Sequence, residues 1–305
     1  MTRQYNVLLF DGFSNHCLAN MVEPLRAANT LSRQTLYAWR FCSIDGQPVH
    51  SSSGLAVTPD GALGDLNGDV LVVMPSYGYL ALDTRPTIRT LLSAASKHAQ
   101  LAGLDTGSWL LACAGLLDDH RATIHWDELS RFEEAFPAVE AVQKRFVIDG
   151  NRLTCSGAMA AFDLALALIR RDQGPLLSME VAHLFMSRGR ADQYTLPLKS
   201  EDTLVNRALN VMQSNLETPL SITDLARRIG CTQKRIEMRV QDELRTTPQA
   251  LYRRLRLNLA RKLSEETEQS IAEIAGRCGY ENASAMTRAF KAEFGQTPTE
   301  FRNRA

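Results

Sequence analysis

The chain has no net charge: 34 Lys and Arg balance 34 Asp and Glu over 305 residues. Any attraction to a charged partner must therefore come from how charge is distributed, not from its sum. No apolar run approaches the ~18 residues that a membrane helix needs, so no membrane span is expected. The first ten residues read as a strand rather than a basic-then-apolar leader, so no secretory signal is expected either. The six cysteines (Cys17, Cys42, Cys113, Cys155, Cys231 and Cys278) contain no C-x-x-C pair. Several lie in apolar runs and read as small buried side chains in a reducing cytosol. Neither a metal nor a cofactor is expected, and the location these absences point to is the cytoplasm.

What is present suits a soluble globular chain, with 45% hydrophobic and 22% charged residues. Its length allows two domains with full cores. The charge is divided unequally. Residues 202–305 carry 17 Lys and Arg against 13 Asp and Glu, a net of +4, and residues 1–201 carry 17 against 21, a net of −4. A positive C-terminal part suits a phosphate backbone. The excess is modest, so tight binding calls for two copies.

That C-terminal part repeats itself. Ser221-Ile-Thr-Asp-Leu-Ala-Arg-Arg-Ile-Gly230 returns as Ser270-Ile-Ala-Glu-Ile-Ala-Gly-Arg-Cys-Gly279, an offset of 49, and Thr247-Pro248 returns as Thr297-Pro298, an offset of 50. A repeat of this period means one supersecondary unit used twice. Ser221 with Asp224, and Ser270 with Glu273, have capping-box spacing. Ile222, Leu225, Ala226 and Ile229 give one buried helical face, and Gly230 supplies a left-handed turn. A second helix follows in each unit, marked by Ile236, Val240 and Leu244, then by Met286, Phe290 and Phe294. Gln233, Lys234, Arg235 and Glu237 remain outward on the first, and Asn282, Ser284, Thr287 and Arg288 on the second. Polar side chains of this kind reach base edges and phosphates in a major groove.

Between the units, Gln249–Leu263 carries Leu251, Leu255, Leu259 and Leu263 at four-residue spacing, with Arg253, Arg254, Arg256, Arg261 and Lys262 on other faces. On these residues, Ser221–Arg302 resembles the AraC-family DNA-binding domain. The Arg254–Leu263 stretch is similar to that family's linker helix. The Ile-Ala-x-x-Cys-Gly-Tyr and Phe-Gly-Gln-Thr-Pro runs are similar to its second half.

The first 200 residues alternate differently. Short apolar runs at Asn6–Phe10, Trp39–Ile44, Val70–Met74 and Leu101–Leu104 read as strands, with Ala122–His125 and Phe146–Ile148 as further ones. Helical spacing marks Asn15–Leu31, Ile88–Ala99, Gly107–Leu117, Ala158–Arg171 and Leu176–Ser187. Such alternation predicts an α/β fold with a parallel sheet covered on both faces. Periodicity is lost over Arg188–Ser200, the expected connector. The resulting division is 1–190, a linker at 191–203, and 204–305.

Parallel sheets bind ligands beyond the carboxyl ends of their strands. Leu104-Asp105-Thr106-Gly107-Ser108 lies at such a point, where a strand turns into a helix. Residues 1–190, through Asp105–Leu117 and the following Arg-Ala-Thr-Ile-His-Trp126, resemble the PfpI-like domain of the class I glutamine-amidotransferase-like fold. With the helical repeat attached, the whole chain resembles the GlxA family of transcriptional regulators. The resemblance implies a flavodoxin-like parallel-sheet sandwich followed by an all-α domain, double-stranded DNA and a small-molecule effector as partners, and a homodimer.

Enzymes of that fold carry a cysteine at the elbow, where this chain has Asp105. A carboxylate cannot replace the attacking thiolate, so the domain is expected to be catalytically dead. The family alignment puts Glu23 beside the elbow, where two carboxylates would repel unless a cation sat between them. Trp109, His125, Trp126, Tyr77 and Phe13 are the expected aromatic surround, suited to an ammonium or guanidinium group. The start of the helix at Gly107-Ser108 offers N–H groups for a carboxylate on the same ligand. Phe13–Asn20 and Glu23–Asn29, with the Asp-Thr-Gly elbow, are similar to regulators of glycine betaine, carnitine and arginine catabolism. Bland alternatives stand beside this reading: Asp105 as a helix N-cap, the two tryptophans as core, His125 as a satisfied structural histidine. Two other functions stand as well, a PfpI-like hydrolase or deglycase with a DNA-binding tail, and a constitutive DNA-binding dimer with no effector.

Overall fold

The computed structural model describes residues 1–186, 200 and 202–303. Contacts divide the chain into two compact units, Met1–Ile169 and Arg170–Ala305. The connector expected at Arg188–Ser200 lies, Ser200 apart, outside the described residues, as does Ser187.

In the first unit the strands are β1 (Arg3–Leu9), β2 (Tyr37–Ser43), β3 (Val49–His50), β4 (Ala56–Val57), β5 (Gly61–Ala62), β6 (Gly68–Met74), β7 (His98–Leu104), β8 (Arg121–Ala122), β9 (Glu140–Ala141), β10 (Phe146–Asp149) and β11 (Arg152–Cys155). The helices are α1 (Asn15–Ser32), α2 (Arg85–Ala95), α3 (Gly107–Cys113), α4 (Leu129–Ala135) and most of α5 (Ala158–Gln173), whose last four residues fall past the division. Seven strands form one sheet in the order β10-β11-β7-β6-β1-β2-β5. Every pairing in it is parallel except the β10–β11 hairpin at the edge. Val70–Met74 of β6 and Leu101, Ala102 and Leu104 of β7 are buried. Central strands covered on both faces must be apolar along their length, which is why these runs do not alternate. Helices start where a side chain satisfies their free N–H groups. Ser14 accepts from Cys17 N at the start of α1, and Thr84 accepts from Thr87 N at the start of α2.

The expected elements at Asn6, Trp39, Val70, Leu101 and Phe146 are all present. Three details differ. The expected strand Ala122–His125 contributes only β8, which pairs with β9 in a separate two-stranded sheet. The expected helix Ile88–Ala99 ends at Ala95, because His98 already begins β7. The helix expected over Gly107–Leu117 stops at Cys113, and Gly115 follows in the left-handed region with φ 66°.

The second unit is all-helical among the described residues: α6 (Pro175–Met186), α7 (Thr203–Gln213), α8 (Ile222–Arg228), α9 (Gln233–Leu244), α10 (Pro248–Glu266), α11 (Ile271–Arg277), α12 (Ala283–Phe294) and α13 (Pro298–Arg302). α10 takes part in two separate cores. Leu251, Tyr252 and Leu255 pack with Leu225, Ile236 and Val240. Leu257, Ala260 and Leu263 pack with Ile274, Met286 and Phe290. The repeat thus folds as two small helical clusters sharing one helix. α6 belongs here too, because Met179 sits in the first of these cores.

Candidate functional site

The turn from β7 into α3 is built by two glycines. A β-carbon on Gly103 would lie 2.7 Å from Ser108 N, and one on Gly107 would lie 1.9 Å from Val73 O. No other residue lets α3 press this closely on β6 and β7. The preceding Asp105 is forced into the left-handed region, φ 61°, a strained conformation for a residue with a side chain. That is the backbone signature of a nucleophile elbow.

The elbow is stitched to its neighbours. Thr106 Oγ1 donates to Ser76 O (2.7 Å). Ser76, also left-handed at φ 61°, accepts at Oγ from Ser14 N (3.0 Å). His125 N donates to Asp105 O (3.0 Å), and the His125 ring lies against Gly157. Ser108 Oγ donates to Thr123 O (2.6 Å). Beneath the elbow, Cys17 and Cys155 are buried and hydrogen-bonded to each other, close enough to feel the Asp105 charge. Their hydrogen bond, followed by burial, pushes the Cys17 thiol well above its usual value. Neither Ser76 nor this thiol pair is singled out by the sequence reading. A Pro-Ser pair directly after a buried strand was the available signal for Ser76.

Asp105 is 9% exposed, yet among the described residues nothing donates a hydrogen bond to its carboxylate. It does not cap α3 either: the N-cap position is Thr106, with no side-chain cap bond. Its oxygens are not among the fully buried side-chain atoms that lack a partner, so the carboxylate stays open to solvent at the elbow, where a cation can reach it.

The expected surround separates into two groups. Tyr77 (68% exposed) and Trp126 (70% exposed) stand outward on the loops beside Ser76 and His125. His125 is half-buried and tilts against Trp126, with ring centroids 5.6 Å apart. Trp109, Phe13 and Ser108 depart from the expectation. Trp109 is buried in an aromatic cluster, 5.4 Å from Tyr79 and 4.9 Å from Phe136 between centroids. Phe13 is fully buried, and the Ser108 hydroxyl is committed to Thr123. These three shape the scaffold and present nothing to a ligand. Glu23 also departs: its carboxylate takes Arg26 Nε at 2.7 Å on the exposed side of α1. The first turn of α3, Gly107–Trp109, is buried against the sheet and shows no open cradle for a ligand carboxylate.

In the second unit the repeat is accurate at the level of caps. Ser221 and Ser270 accept from Asp224 N and Glu273 N at the starts of α8 and α11. Thr232 and Asn282 cap α9 and α12. The turns pass through Gly230 at φ 74° and Gly279 at φ 69°. Lys234, Arg235, Ser284 and Arg288 are exposed, and Thr287 is half-buried. Asn282 is exposed, but its side-chain oxygen is spent on Ala285 N (2.8 Å). Gln233 takes Thr223 Oγ1 (2.7 Å) and donates to Glu237 (2.8 Å), so these two act as a tied pair. Two linker-helix arginines serve structure. Arg254 forks onto Glu180 of α6 at 2.7 Å through both Nε and Nη2. Arg256 donates to Cys278 O and Gly279 O (both 2.6 Å) and lies 4.2 Å over the Tyr280 ring.

Known proteins share both units. Residues 6–171 match the DJ-1/PfpI family and residues 225–304 a helix-turn-helix domain. The HTH-type transcriptional regulator CdhR of Pseudomonas aeruginosa is 37% identical, covering 99% of this chain and 92% of that protein. The HTH-type transcriptional regulator GlxA of Rhizobium meliloti is 31% identical over 98% and 95%. Among solved structures, an AraC family transcriptional regulator from Pseudomonas putida aligns with a TM-score of 0.53 and 29% identity, over 60% of this chain and 99% of that one. Drosophila melanogaster DJ-1beta shares the fold at a TM-score of 0.52 and 21% identity, over 62% and 100%. A DJ-1/PfpI domain with an aspartate at its elbow, joined to a capped pair of helix-turn-helix units, makes this chain a member of the GlxA family of AraC-type transcriptional regulators.

Proposed function

We propose that this regulator is ligand-responsive, and that its effector is a small cationic amine held at Asp105. The observation that carries the reading is the Asp105 carboxylate itself, held in a strained elbow, 9% exposed and, among the described residues, without a protein donor. A cation is the partner such a group lacks. Tyr77 and Trp126, with exposed rings, directly follow Ser76 and His125, which are hydrogen-bonded to the elbow, and a cation–π contact from either would contribute ~0.5–2 kcal/mol. The same position carries no thiol, so the domain lacks the thiolate with which the related enzymes attack carbonyls, and it acts as a sensor rather than a hydrolase. The resemblance to regulators of glycine betaine, carnitine and arginine catabolism favours the same ligand class, cationic amines that bear a carboxylate.

DNA is read by α9 and α12 within one chain, through Lys234, Arg235, Thr287 and Arg288, and a homodimer supplies the affinity that a net charge of +4 does not. Effector binding acts through a difference in affinity between two states of the protein, as any such coupling must.

The test is binding to the full chain. Glycine betaine, carnitine, choline, dimethylglycine and arginine are screened by thermal shift, with uncharged isosteres as controls, on wild type and Asp105→Asn. A ligand at 100 times its Kd stabilises the state it binds by about 2.7 kcal/mol, several degrees for a domain of this size. The reading expects a cationic ligand to raise the wild-type melting temperature and to lose that effect in Asp105→Asn. No shift with any cation would return Asp105 to a purely structural role.

A further inference from the structure

We infer that Met238 is a specificity-determining residue that packs on the 5-methyl group of a thymine, so that the two reading helices of one chain ask for chemically different bases. The inference deepens the proposed reading, since it rests on α9 and α12 being the helices that enter the major groove.

The geometry comes from the repeat. α9 and α12 have the same length, with every boundary offset by 50: Gln233–Leu244 and Ala283–Phe294. Their buried stripes correspond, Ile236, Val240 and Leu244 against Met286, Phe290 and Phe294. Both start at a capping side chain, and both end at a left-handed residue, Arg245 at φ 54° and Gly295 at φ 74°. Each outward position therefore has a counterpart: Lys234 and Ser284, Met238 and Arg288, Gln241 and Lys291. At about 100° per residue, Met238 and Arg288 lie opposite the buried stripe, at the middle of the outward face.

Chemistry separates the two centres. Arg288 offers a guanidinium fork, which matches guanine O6 and N7. Met238 offers an unbranched thioether, 54% exposed, on a face where Lys234, Arg235, Gln241 and Asp242 are polar and exposed. Among the described residues of 202–303 it is the one exposed large apolar side chain. An apolar group in that place finds a partner on only one of the four bases, since thymine alone presents a methyl in the major groove. A flexible, polarisable side chain suits contact with such a small target.

The experiment selects duplexes from a random 30-base-pair library with the wild-type full chain. Single thymines in the selected duplex are then replaced by deoxyuridine, which removes only the methyl. The inference expects one thymine per half-site whose replacement weakens wild-type binding about four-fold, the worth of one buried methyl-sized group. Met238→Ala, with an unchanged melting temperature, should bind the thymine and deoxyuridine duplexes equally. Met238→Arg, reselected from the library, should exchange that thymine for guanine. Wild type that is indifferent to every deoxyuridine replacement, or Met238→Ala that keeps the loss, overturns the inference while leaving DNA reading intact. Failure of wild type to enrich any sequence contradicts the DNA-reading assignment itself, and this inference with it.

Discussion

Gly107 has no room for a β-carbon, because Val73 O would sit 1.9 Å away. The flexible end of a side chain could move aside, but a backbone carbonyl inside a parallel sheet cannot. Gly107→Ala is therefore expected to destabilise the α/β unit by roughly 3 kcal/mol, the upper end of core overpacking, measured as a fall in denaturant midpoint at unchanged slope. Asp105 is different in kind. Its side chain makes no hydrogen bond that the fold depends on among the described residues, and asparagine tolerates the left-handed region well, so Asp105→Asn should leave the melting temperature of the unliganded protein unchanged or raised. A large loss of stability in that variant would mean that the carboxylate is part of the scaffold. At this scale the sequence was legible in part. The elbow could be read from Asp-Thr-Gly after an apolar run. Whether Trp109 was core or pocket could not be decided, because Phe132 and Phe136, which surround it, come more than 20 residues later. Glu23 was placed by alignment alone, and its pairing with Arg26 one helical turn on was already visible in the spacing.

Among elements, α6 is the one whose environment the sequence hid. Its apolar run reads as a helix, and its partners are found only in the fold. Glu180 is buried and receives Arg254 through two hydrogen bonds and Asn258 at 2.9 Å, while Arg254 also reaches Glu293 of α12 at 3.2 Å. Removing one member of a buried pair leaves the other charge uncompensated, at a cost of ~3–5 kcal/mol. Arg254→Ala should therefore lower the melting temperature of the helical unit by several degrees, and the double variant Arg254→Met with Glu180→Met should recover most of the loss. Equal losses in the single and double variants would deny the pair this role. α7 depends on Asp202, which accepts from Leu204 N (2.7 Å) and Val205 N (2.9 Å) and pairs with Arg239. Burial raises its carboxyl, but those N–H groups and the guanidinium outweigh burial and hold it below the usual carboxylate range. A depressed carboxyl contributes stability that is present above the unfolded-state value near 4 and is lost as pH falls through the folded value. Melting temperature should thus drop below about pH 4, and Asp202→Asn should flatten that part of the profile. The capping chemistry of this unit was legible at Ser221 and Ser270, whose spacing to Asp224 and Glu273 announces their helices, but not at Asn282, whose outward-looking side chain is spent on capping α12. The short strands β3, β4, β5 and β9 were not, because two-residue pairings carry no period to detect.

Over the whole molecule, the charge asymmetry seen in the sequence sets an acidic 1–201, which holds the sheet and the Asp105 elbow, against a basic 202–305, which holds the pair of helix-turn-helix units. DNA affinity should fall with salt, each neutralised phosphate adding about 0.9 to the slope of log K against log salt. Lys234→Ala and Arg288→Ala should both weaken binding in gel shifts, and unchanged affinity in both would remove α9 and α12 from the interface. The strand–helix alternation and the 49–50-residue repeat were enough to read both folds. What the effector is lay beyond them, because a pocket is a meeting of loops that no periodicity encodes. The most direct measurement is the affinity of the full chain for its selected duplex, with and without saturating cationic effector, in wild type and Asp105→Asn. The account predicts a several-fold change in wild type that disappears in Asp105→Asn while its ligand-free affinity stays the same. An equal change in both proteins, or intact DNA binding that no cation alters, would contradict it.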